Sequence, residues 1–320
     1  MSSKQEVPFG VPQGSILGPI LFTIFINYLS TISHNCLQVQ YADDSQFLHS
    51  DSVNNLNTLI RNTQHTLTQA KLYFDTNGLK LNPHKTQCIF IGSRQNIAKI
   101  PNDTTIEFEG CSIKPNTSVN NLGVHLDKYM TFEQHVDKIH RKVMGTLVYL
   151  NHIKNQITTE TRIMVVQTLV LSIINYCSNI WGSTNKTQMQ KVQKLQNFAA
   201  RVALGNISKL DHISPHIQKL NWLKVQPKCS YDTCVFIYKL IHGNYPQWLM
   251  PLQTVGTTSG VVTRQVNSLY VKRSRTDTGA RQMEIRGPKL WNMLPDNIRV
   301  INSFCNFKTK LKEHLLNNQL

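Results

Sequence analysis

Two adjacent carboxylates, Asp43 and Asp44, constrain this chain of 320 residues more than any other feature of its sequence. Apolar residues lie on both sides of the pair, at Leu37, Val39, Phe47 and Leu48. This pattern predicts a strand, a tight turn and a second strand, with the two carboxylates exposed at the tip. Such a pair suits hard divalent cations, which prefer oxygen ligands. Aspartate is also common in ordinary surface turns, so the neighbouring sequence has to decide between a metal site and a simple turn.

The segment before the predicted hairpin combines a glycine-containing loop with an apolar run. Pro12, Gly14 and Gly18 lie in the loop, and glycine lets a backbone approach a ligand closely. Pro19 suits the first turn of a helix, where its missing N–H group costs no hydrogen bond. The apolar residues 20–29 predict that this helix continues into a core.

Together, the loop and the acidic hairpin resemble reverse transcriptases. The form Gln-Gly-Ser-x-Leu-Gly-Pro, at residues 13–19, most closely resembles the LINE-type, non-LTR retrotransposons. The resemblance implies that Gln13, Gly14 and Ser15 contact the template base and the incoming nucleotide. It also implies the activity of an RNA-directed DNA polymerase, whose partners are an RNA template, a DNA primer and deoxynucleotides. The element's own RNA, in a ribonucleoprotein, is a further implied partner.

The same resemblance makes Tyr41-Ala42-Asp43-Asp44 the metal hairpin of a polymerase. It implies that Asp43 and Asp44 are catalytic and bind Mg²⁺, with two ions in the intact enzyme. Tyr41 is implied to contact the template or the nucleotide. Two such cations can activate a primer hydroxyl and stabilise the leaving pyrophosphate.

Residues 77–86 resemble the segment that follows the metal hairpin in the family. Within it, Lys85 matches a family lysine near the departing pyrophosphate, and an ordinary solvated lysine is the alternative. Gly78 suits a helix C-terminal cap after the amphipathic residues 53–74. Residues 88–91 then predict a strand.

A third segment, residues 121–127, resembles the primer grip, a hairpin that holds the primer end. The resemblance assigns that role to Leu122 and Gly123. Leu122, Val124 and Leu126 alternate as they would along a strand, and Gly123 would let a nucleic-acid backbone come close. An ordinary antiparallel strand is the alternative, and both interpretations can hold together.

The charge of the chain is concentrated in its second part. The formal net charge is +16, from 34 basic and 18 acidic residues. Nine of each lie within residues 1–130, which leaves 25 basic and nine acidic residues in 131–320. A neutral catalytic part joined to a basic part is what binding to a polyanion backbone requires. A basic protein kept soluble by its charge is the alternative.

Helical periodicity predicts that the basic part is mostly α-helical. The predicted helices cover residues 135–151, 159–178 and 186–204, and they resemble a polymerase thumb. Residues 222–225, 231–240 and 287–295 resemble the tail of jockey-like elements, and residues 303–316 predict a closing amphipathic helix. Tryptophans are expected as core anchors at Trp181, Trp222, Trp248 and Trp291.

The sequence therefore predicts an α+β fold. A partial polymerase palm, an antiparallel sheet with helices that includes the primer grip, is expected over residues 1–130. A helical thumb is expected over residues 131–205. The C-terminal region, residues 206–320, is expected to be mostly helical with a loop-rich stretch near residues 253–280.

Cysteine placement and hydropathy point to a protein of the cytoplasm and nucleus. The seven cysteines are scattered, and no secretory or membrane-spanning segment is visible. Cys229 and Cys234 have no matching Cys/His pair that would complete a zinc site.

The start of the sequence departs from the family pattern, because the chain begins eight residues before Phe9. The fingers and the strand with the first metal-binding aspartate are expected to be missing. Loss of one metal ligand commonly costs on the order of a thousandfold in rate. A C-terminal fragment that is inactive alone is therefore expected, and a catalytically dead nucleic-acid-binding remnant or a genomic relic are the alternatives.

Overall fold

The computed structural model of the chain describes residues 14–32, 36–208, 210–245, 249–259 and 268–319. The chain divides into two compact units, Met1–Val119 and Asn120–Leu320. Helices dominate the described residues, and their strands occur in two-stranded sheets. This is the predicted α+β class. The three predicted domains, at residues 1–130, 131–205 and 206–320, stay a prediction.

Two helices build the small core of the first unit. They are α1 (Gly18–Ile26), extended by a 3₁₀ turn at Asn27–Thr31, and α2 (Leu56–Thr76), preceded by a 3₁₀ turn at Val53–Asn55. Pro19 lies in the first turn of α1, as predicted. Ile26, Leu29 and Phe74 are buried against one another. The prediction that residues 20–29 enter a core is only partly right, because the following residues are exposed: Ile20, Leu21, Ile24 and Phe25.

The predicted cap of α2 is confirmed. Gly78 has φ +72°, a backbone conformation that side chains with a Cβ rarely adopt. The N–H of Gly78 donates to the carbonyl of Asp75 at 3.1 Å, and that of Leu79 donates to the carbonyl of Phe74 at 2.8 Å. These bonds satisfy carbonyl groups at the helix end that would otherwise lack a partner.

The strands of the first unit form two antiparallel hairpins. They are β1 (Leu37–Tyr41) with β2 (Asp44–Leu48), and β3 (Ile106–Phe108) with β4 (Cys111–Ile113). A short helix, α3 (Arg94–Ile97), and a 3₁₀ turn, Pro83–Lys85, lie between them in sequence. The predicted strand at residues 88–91 is wrong. An apolar run becomes a strand only beside a partner, and this segment has no hydrogen-bonded ladder with another described strand.

The second unit begins at a hairpin and continues as helices. The hairpin joins β5 (Ser118–Asn121) to β6 (Val124–Asp127), and the unit boundary falls within β5. The next helices are α4 (Glu133–Ile153), α5 (Thr159–Val166), α6 (Ser172–Asn175), α7 (Ser178–Trp181), α8 (Lys186–Leu204) and α9 (Ser214–Lys219). A π-helical turn at Gln167–Leu171 joins α5 to α6. Apolar stripes of α4, α5 and α8 share one core with Trp181, which confirms the predicted periodicity.

A second core of this unit lies among its later helices. These are α10 (Val225–Ile241), α11 (Val255–Ser259), α12 (Asp277–Ala280), α13 (Met283–Asn292), α14 (Asp296–Arg299) and α15 (Phe304–Asn317). Phe307 stacks on Tyr238 at 4.3 Å between ring centroids and lies 5.7 Å from Trp291. Trp181, Trp222 and Trp291 are buried, as predicted, and Trp248 lies outside the described residues. In the described part of the chain, no helix is both long and apolar enough to cross a membrane.

Candidate nucleic-acid and metal site

The acidic residues lie at the turn of the first hairpin, as the sequence predicts. Tyr41 pairs with Asp44, which leaves Ala42 and Asp43 as a two-residue turn. Ala42 has φ +51°, the left-handed conformation that two-residue hairpin turns require. Asp43 and Asp44 are both exposed. Two carboxylates therefore lie next to each other at a solvent-facing tip, where the charged form is well hydrated.

The side chains of this hairpin are not buried in the pattern of an ordinary half-buried strand pair, which has apolar residues inside and polar residues outside. The apolar side chains that point outward are exposed, with Leu37 58%, Val39 42% and Tyr41 65% accessible. In contrast, side-chain polar atoms of Gln38 and Ser45 are buried without a hydrogen-bond partner among the described residues. An unpaired buried polar group lowers the stability of the fold by about 1–3 kcal/mol. The buried face of this hairpin is therefore not a well-packed apolar core.

The donor set at the tip has the right chemistry for Mg²⁺ but few members. Asp43 and Asp44 offer carboxylate oxygens, which hard divalent cations prefer. Among the described residues, no group of three or more His, Cys, Asp or Glu side chains lies close enough together to hold a metal. The tip therefore provides two ligands, and full coordination needs others.

The loop before α1 is described from Gly14 onward, and Gln13 lies outside the described residues. Gly14 has φ +87° and is exposed. The Ser15 hydroxyl accepts a hydrogen bond from the backbone N–H of Gly18 at 3.0 Å, which supports the start of α1. Ser15 therefore already has a structural role, whatever substrate contact it makes.

Lys85 lies at the end of the 3₁₀ turn Pro83–Lys85 and is exposed. The Asn82 side chain caps this turn by accepting from the N–H of His84 at 3.0 Å. Lys85 forms no ion pair with another described residue within 4 Å, so its ammonium group faces solvent.

Leu122 and Gly123 form the turn between β5 and β6, so the prediction of Leu122 as an alternating strand residue is wrong. Both have left-handed backbones, with φ +45° and +85°. Tyr176 braces this turn: its hydroxyl donates to the Leu122 carbonyl at 2.7 Å. A Cβ at Gly123 would lie 3.4 Å from the Tyr176 ring. Sequence analysis missed Tyr176, because no local pattern links residues more than fifty positions apart.

A buried carboxylate fixes the exit from this hairpin into α4. Asp127 accepts hydrogen bonds from the N–H groups of Tyr129 at 3.0 Å, Thr131 at 3.1 Å and Phe132 at 2.6 Å. The Thr131 hydroxyl donates to it as well, at 3.1 Å. With four donors from one short loop, Asp127 acts as a structural acceptor, a role that sequence analysis also missed.

Two histidines and a lysine lie together where β6 of this hairpin meets α4. The Lys138 ammonium donates to His125 Nε2 at 2.9 Å, and the backbone N–H of His125 donates to His135 Nδ1 at 3.4 Å. Burial, with help from the nearby His125 and Lys138, lowers the pKa of His135 to about 4. Burial likewise lowers the pKa of His125. Both imidazoles are therefore neutral at pH 7, and His125 can accept from Lys138.

The basic residues of α4, α5 and α8 divide into structural and exposed groups. Arg162 is structural: its guanidinium donates to five acceptors, including the carbonyls of Lys154 at 2.6 Å and Ile157 at 2.8 Å. Lys191 pairs with Asp137 at 3.3 Å. The basic side chains that are exposed on these helices include Lys138, Arg141, Lys142, Lys186 and Lys194. This exposed group can contact the phosphates of a nucleic acid.

Comparison with known proteins matches part of the chain to one family. Residues 3–126 match the family described as reverse transcriptase (RNA-dependent DNA polymerase). The chain is 32% identical over 204 residues to a probable RNA-directed DNA polymerase from transposon BS of Drosophila melanogaster, covering 60% of this chain and 22% of that protein. It is 22% identical over 214 residues to the RNA-directed DNA polymerase from mobile element jockey of the same species, covering 64% and 23%.

A third relative is covered over more of its own length. This is a retrovirus-related Pol polyprotein from type-1 retrotransposable element R1 of Nasonia vitripennis, 24% identical over 234 residues, covering 71% of this chain and 68% of that protein. The chain spans less than a quarter of the two Drosophila relatives. No solved structure matches.

Proposed function

Because residues 3–126 belong to the reverse transcriptase family, we propose that this chain is part of the RNA-directed DNA polymerase of a LINE-type, non-LTR retrotransposon. The observation that carries the proposal is the hairpin that places Asp43 and Asp44 together at an exposed tip, inside the matched residues. The intact enzyme would add deoxynucleotides to a DNA primer on an RNA template. The element's own RNA would be its ribonucleoprotein partner.

Reverse transcriptases use divalent metal ions, and Asp43 and Asp44 would hold Mg²⁺ here. The metal would supply activation of the primer hydroxyl and stabilisation of the leaving pyrophosphate. Tyr41, opposite Asp44 in the hairpin, would contact the template or the nucleotide. The remaining ligands would come from water, from nucleotide phosphates or from residues beyond those that the structure describes.

The other proposed site residues would position the substrates. Leu122 and Gly123 would hold the primer end, and the support for this is the turn that Tyr176 braces. Lys85, with its exposed ammonium group, would neutralise charge on the departing pyrophosphate. Template and incoming nucleotide would be contacted by Gln13, Gly14 and Ser15.

Primer extension on an RNA template with Mg²⁺ tests this proposal directly. The purified chain is compared with the double variant Asp43→Asn/Asp44→Asn, which keeps the side-chain size and removes both charges. Any extension by the parent chain should fall by on the order of a thousandfold or more in the double variant, because both metal ligands lose their negative charge. Asp103→Asn, a variant of an exposed carboxylate in the same unit, should extend like the parent chain.

Equal extension by the parent chain and the double variant would show that Asp43 and Asp44 are not the metal ligands. No extension by the parent chain, together with salt-sensitive binding of an RNA–DNA hybrid, would favour a catalytically dead nucleic-acid-binding remnant. The absence of both extension and binding would contradict the proposal as a whole.

A further inference from the structure

A cavity of about 250 Å³ lies within the second unit, between one face of α10 and the junction of α6 and α7. The α10 face contributes Lys228, Asp232, Phe236 and Lys239, and Tyr245 follows that helix. Their spacing of four, four and three residues places the α10 side chains along one side of the helix. None of these residues belongs to the proposed polymerase hairpins.

The charges that line this cavity leave one cation without an acidic partner. Lys228 pairs with Asp232 at 2.5 Å, and the Ser178 hydroxyl also donates to that carboxylate. Lys239 has no carboxylate within ion-pair distance among the described residues, and its ammonium lies 5.3 Å from the Tyr245 ring centroid. The cavity therefore carries one net positive charge, which favours an anionic ligand.

Aromatic rings and side-chain amides lie beside that cation. The rings of Phe236 and Tyr245 are 5.4 Å apart between centroids and tilted by 39°. Asn175 and Asn179 also line the cavity, and their side-chain amides hydrogen-bond to no other residue that the structure describes. An aromatic surface, an unpaired amide pair and a cation are the three contacts that an unstacked nucleotide uses.

We propose that this cavity binds one nucleotide of single-stranded nucleic acid. The base would lie against Phe236 and Tyr245, its edge would face Asn175 and Asn179, and its phosphate would contact Lys239. Cavities for drug-sized ligands measure roughly 300–1,000 Å³, so this smaller one, of about 250 Å³, would enclose the base of one nucleotide and leave the sugar and phosphate at its rim. A base inside a duplex is stacked and cannot enter, which restricts the ligand to a single strand. The inference rests on the proposed function and adds to it a single-strand anchor outside the polymerase residues.

The test is fluorescence anisotropy of a short labelled oligouridine with the full chain, in EDTA, over a series of salt concentrations. Phe236→Leu keeps an apolar side chain and removes the ring, and we expect about tenfold weaker binding. Lys239→Gln removes one phosphate contact, so the slope of log affinity against log salt should become shallower by about 0.7. Lys289→Gln, an exposed lysine on α13 outside the cavity, should change neither quantity.

Several controls keep the outcome decisive. Thermal unfolding followed by circular dichroism shows whether each variant folds, and Asn179→Ala serves as a second cavity variant if Phe236→Leu is unstable. Oligothymidine in place of oligouridine distinguishes DNA from RNA as the strand that binds. The proposal is overturned if the folded cavity variants bind with the same affinity and salt slope as Lys289→Gln.

Failure of this inference and failure of the proposed function are distinguishable, because binding is measured without metal. Primer extension by the parent chain, with cavity variants that bind oligonucleotide normally, would overturn only the nucleotide cavity. Oligonucleotide binding that depends on the cavity, without any extension, would support the nucleotide cavity and favour the catalytically dead remnant over an active polymerase.

Discussion

At the scale of single residues, buried and half-buried polar side chains in the second unit hold loops and helix ends in place. Asp127 accepts four hydrogen bonds from the loop before α4, and Arg162 donates five, to the segment between α4 and α5, to the start of its own helix α5 and to the end of α8. Charged groups with full hydrogen-bonding complements tolerate burial that an isolated charge does not. His135 differs from both, because its Nε2 is buried without a partner among the described residues.

His135 makes a pH-dependent contribution to stability whose sign follows from its lowered pKa. Its folded-state pKa is about 4, against 6.5 for the ordinary group, so the unfolded chain binds more protons between these values. Stability should therefore be unaffected above pH 6.5 and fall as the pH drops towards 4, by up to about 3 kcal/mol.

Urea unfolding at pH 7.5, 5.5 and 4.5 measures this effect. His135→Gln removes the titrating group and should flatten the dependence, and His140→Gln, at another histidine of α4, is the matched control. If the stability of His135→Gln and that of His140→Gln change equally between pH 7.5 and 4.5, His135 is ruled out as the source.

At the scale of secondary-structure elements, the β5–β6 turn shows how a distant residue can determine local geometry. Gly123 needs a positive φ for the two-residue turn and, in addition, lies against the ring of Tyr176. The acidic hairpin has the same turn length but places Ala42 at its positive φ. Two turns of equal length therefore have different support: Gly123 and the Tyr176 hydroxyl in one, and Ala42 with a left-handed backbone in the other.

Two glycine-to-alanine substitutions should have opposite effects on stability. Gly123→Ala introduces a Cβ at φ +85° beside Tyr176 and should lower the free energy of unfolding by about 1–2 kcal/mol. Gly145→Ala lies inside α4 with open space around the new methyl group and should raise it by about 0.5–1 kcal/mol.

Chemical denaturation of both variants checks these signs. Hydrogen exchange should also show faster opening at residues 118–127 in Gly123→Ala and no change there in Gly145→Ala. Equal stability of the two variants would mean that the turn adapts to the extra methyl group without strain.

At the scale of the whole molecule, the net positive charge lies in one part of the chain and the acidic hairpin lies in the other. The net charge of +16 arises from residues 131–320, where basic side chains are exposed on α4 and α8. Exposed lysines bind phosphates with little sequence preference, so under the proposed function they would contact the backbone of a nucleic-acid duplex.

Salt dependence of hybrid binding tests this division. The triple variant Lys142→Gln/Lys186→Gln/Lys194→Gln should weaken binding of an RNA–DNA hybrid, and the salt slope should fall by up to about 0.9 for each phosphate that a lysine no longer neutralises. A control of equal charge, Lys80→Gln/Lys99→Gln/Lys114→Gln, changes exposed lysines of the first unit and should have a smaller effect. Filter binding at several salt concentrations measures both, and a larger effect of the control would contradict the prediction.

The sequence by itself determined the α+β class, the acidic hairpin, the cap at Gly78 and the helices α4 and α8. These depend on local chemistry: periodicity, turn residues and capping act within a few positions of one another. The resemblance carried by residues 13–19 and 41–44 likewise needed no tertiary information, and the family match over residues 3–126 agrees with it.

Only the tertiary structure decided which distant segments contact one another and which side chains are exposed. Residues 88–91 form no strand, because strand formation depends on a partner elsewhere in the chain. Tyr176 braces Leu122 from more than fifty residues away, and the α10 cavity unites Asn175 with Lys239. Exposure separated Lys142 from the fully bonded Arg162, although both are basic residues of helices. Contacts between distant segments arise from packing, and packing leaves no periodic trace in either segment alone.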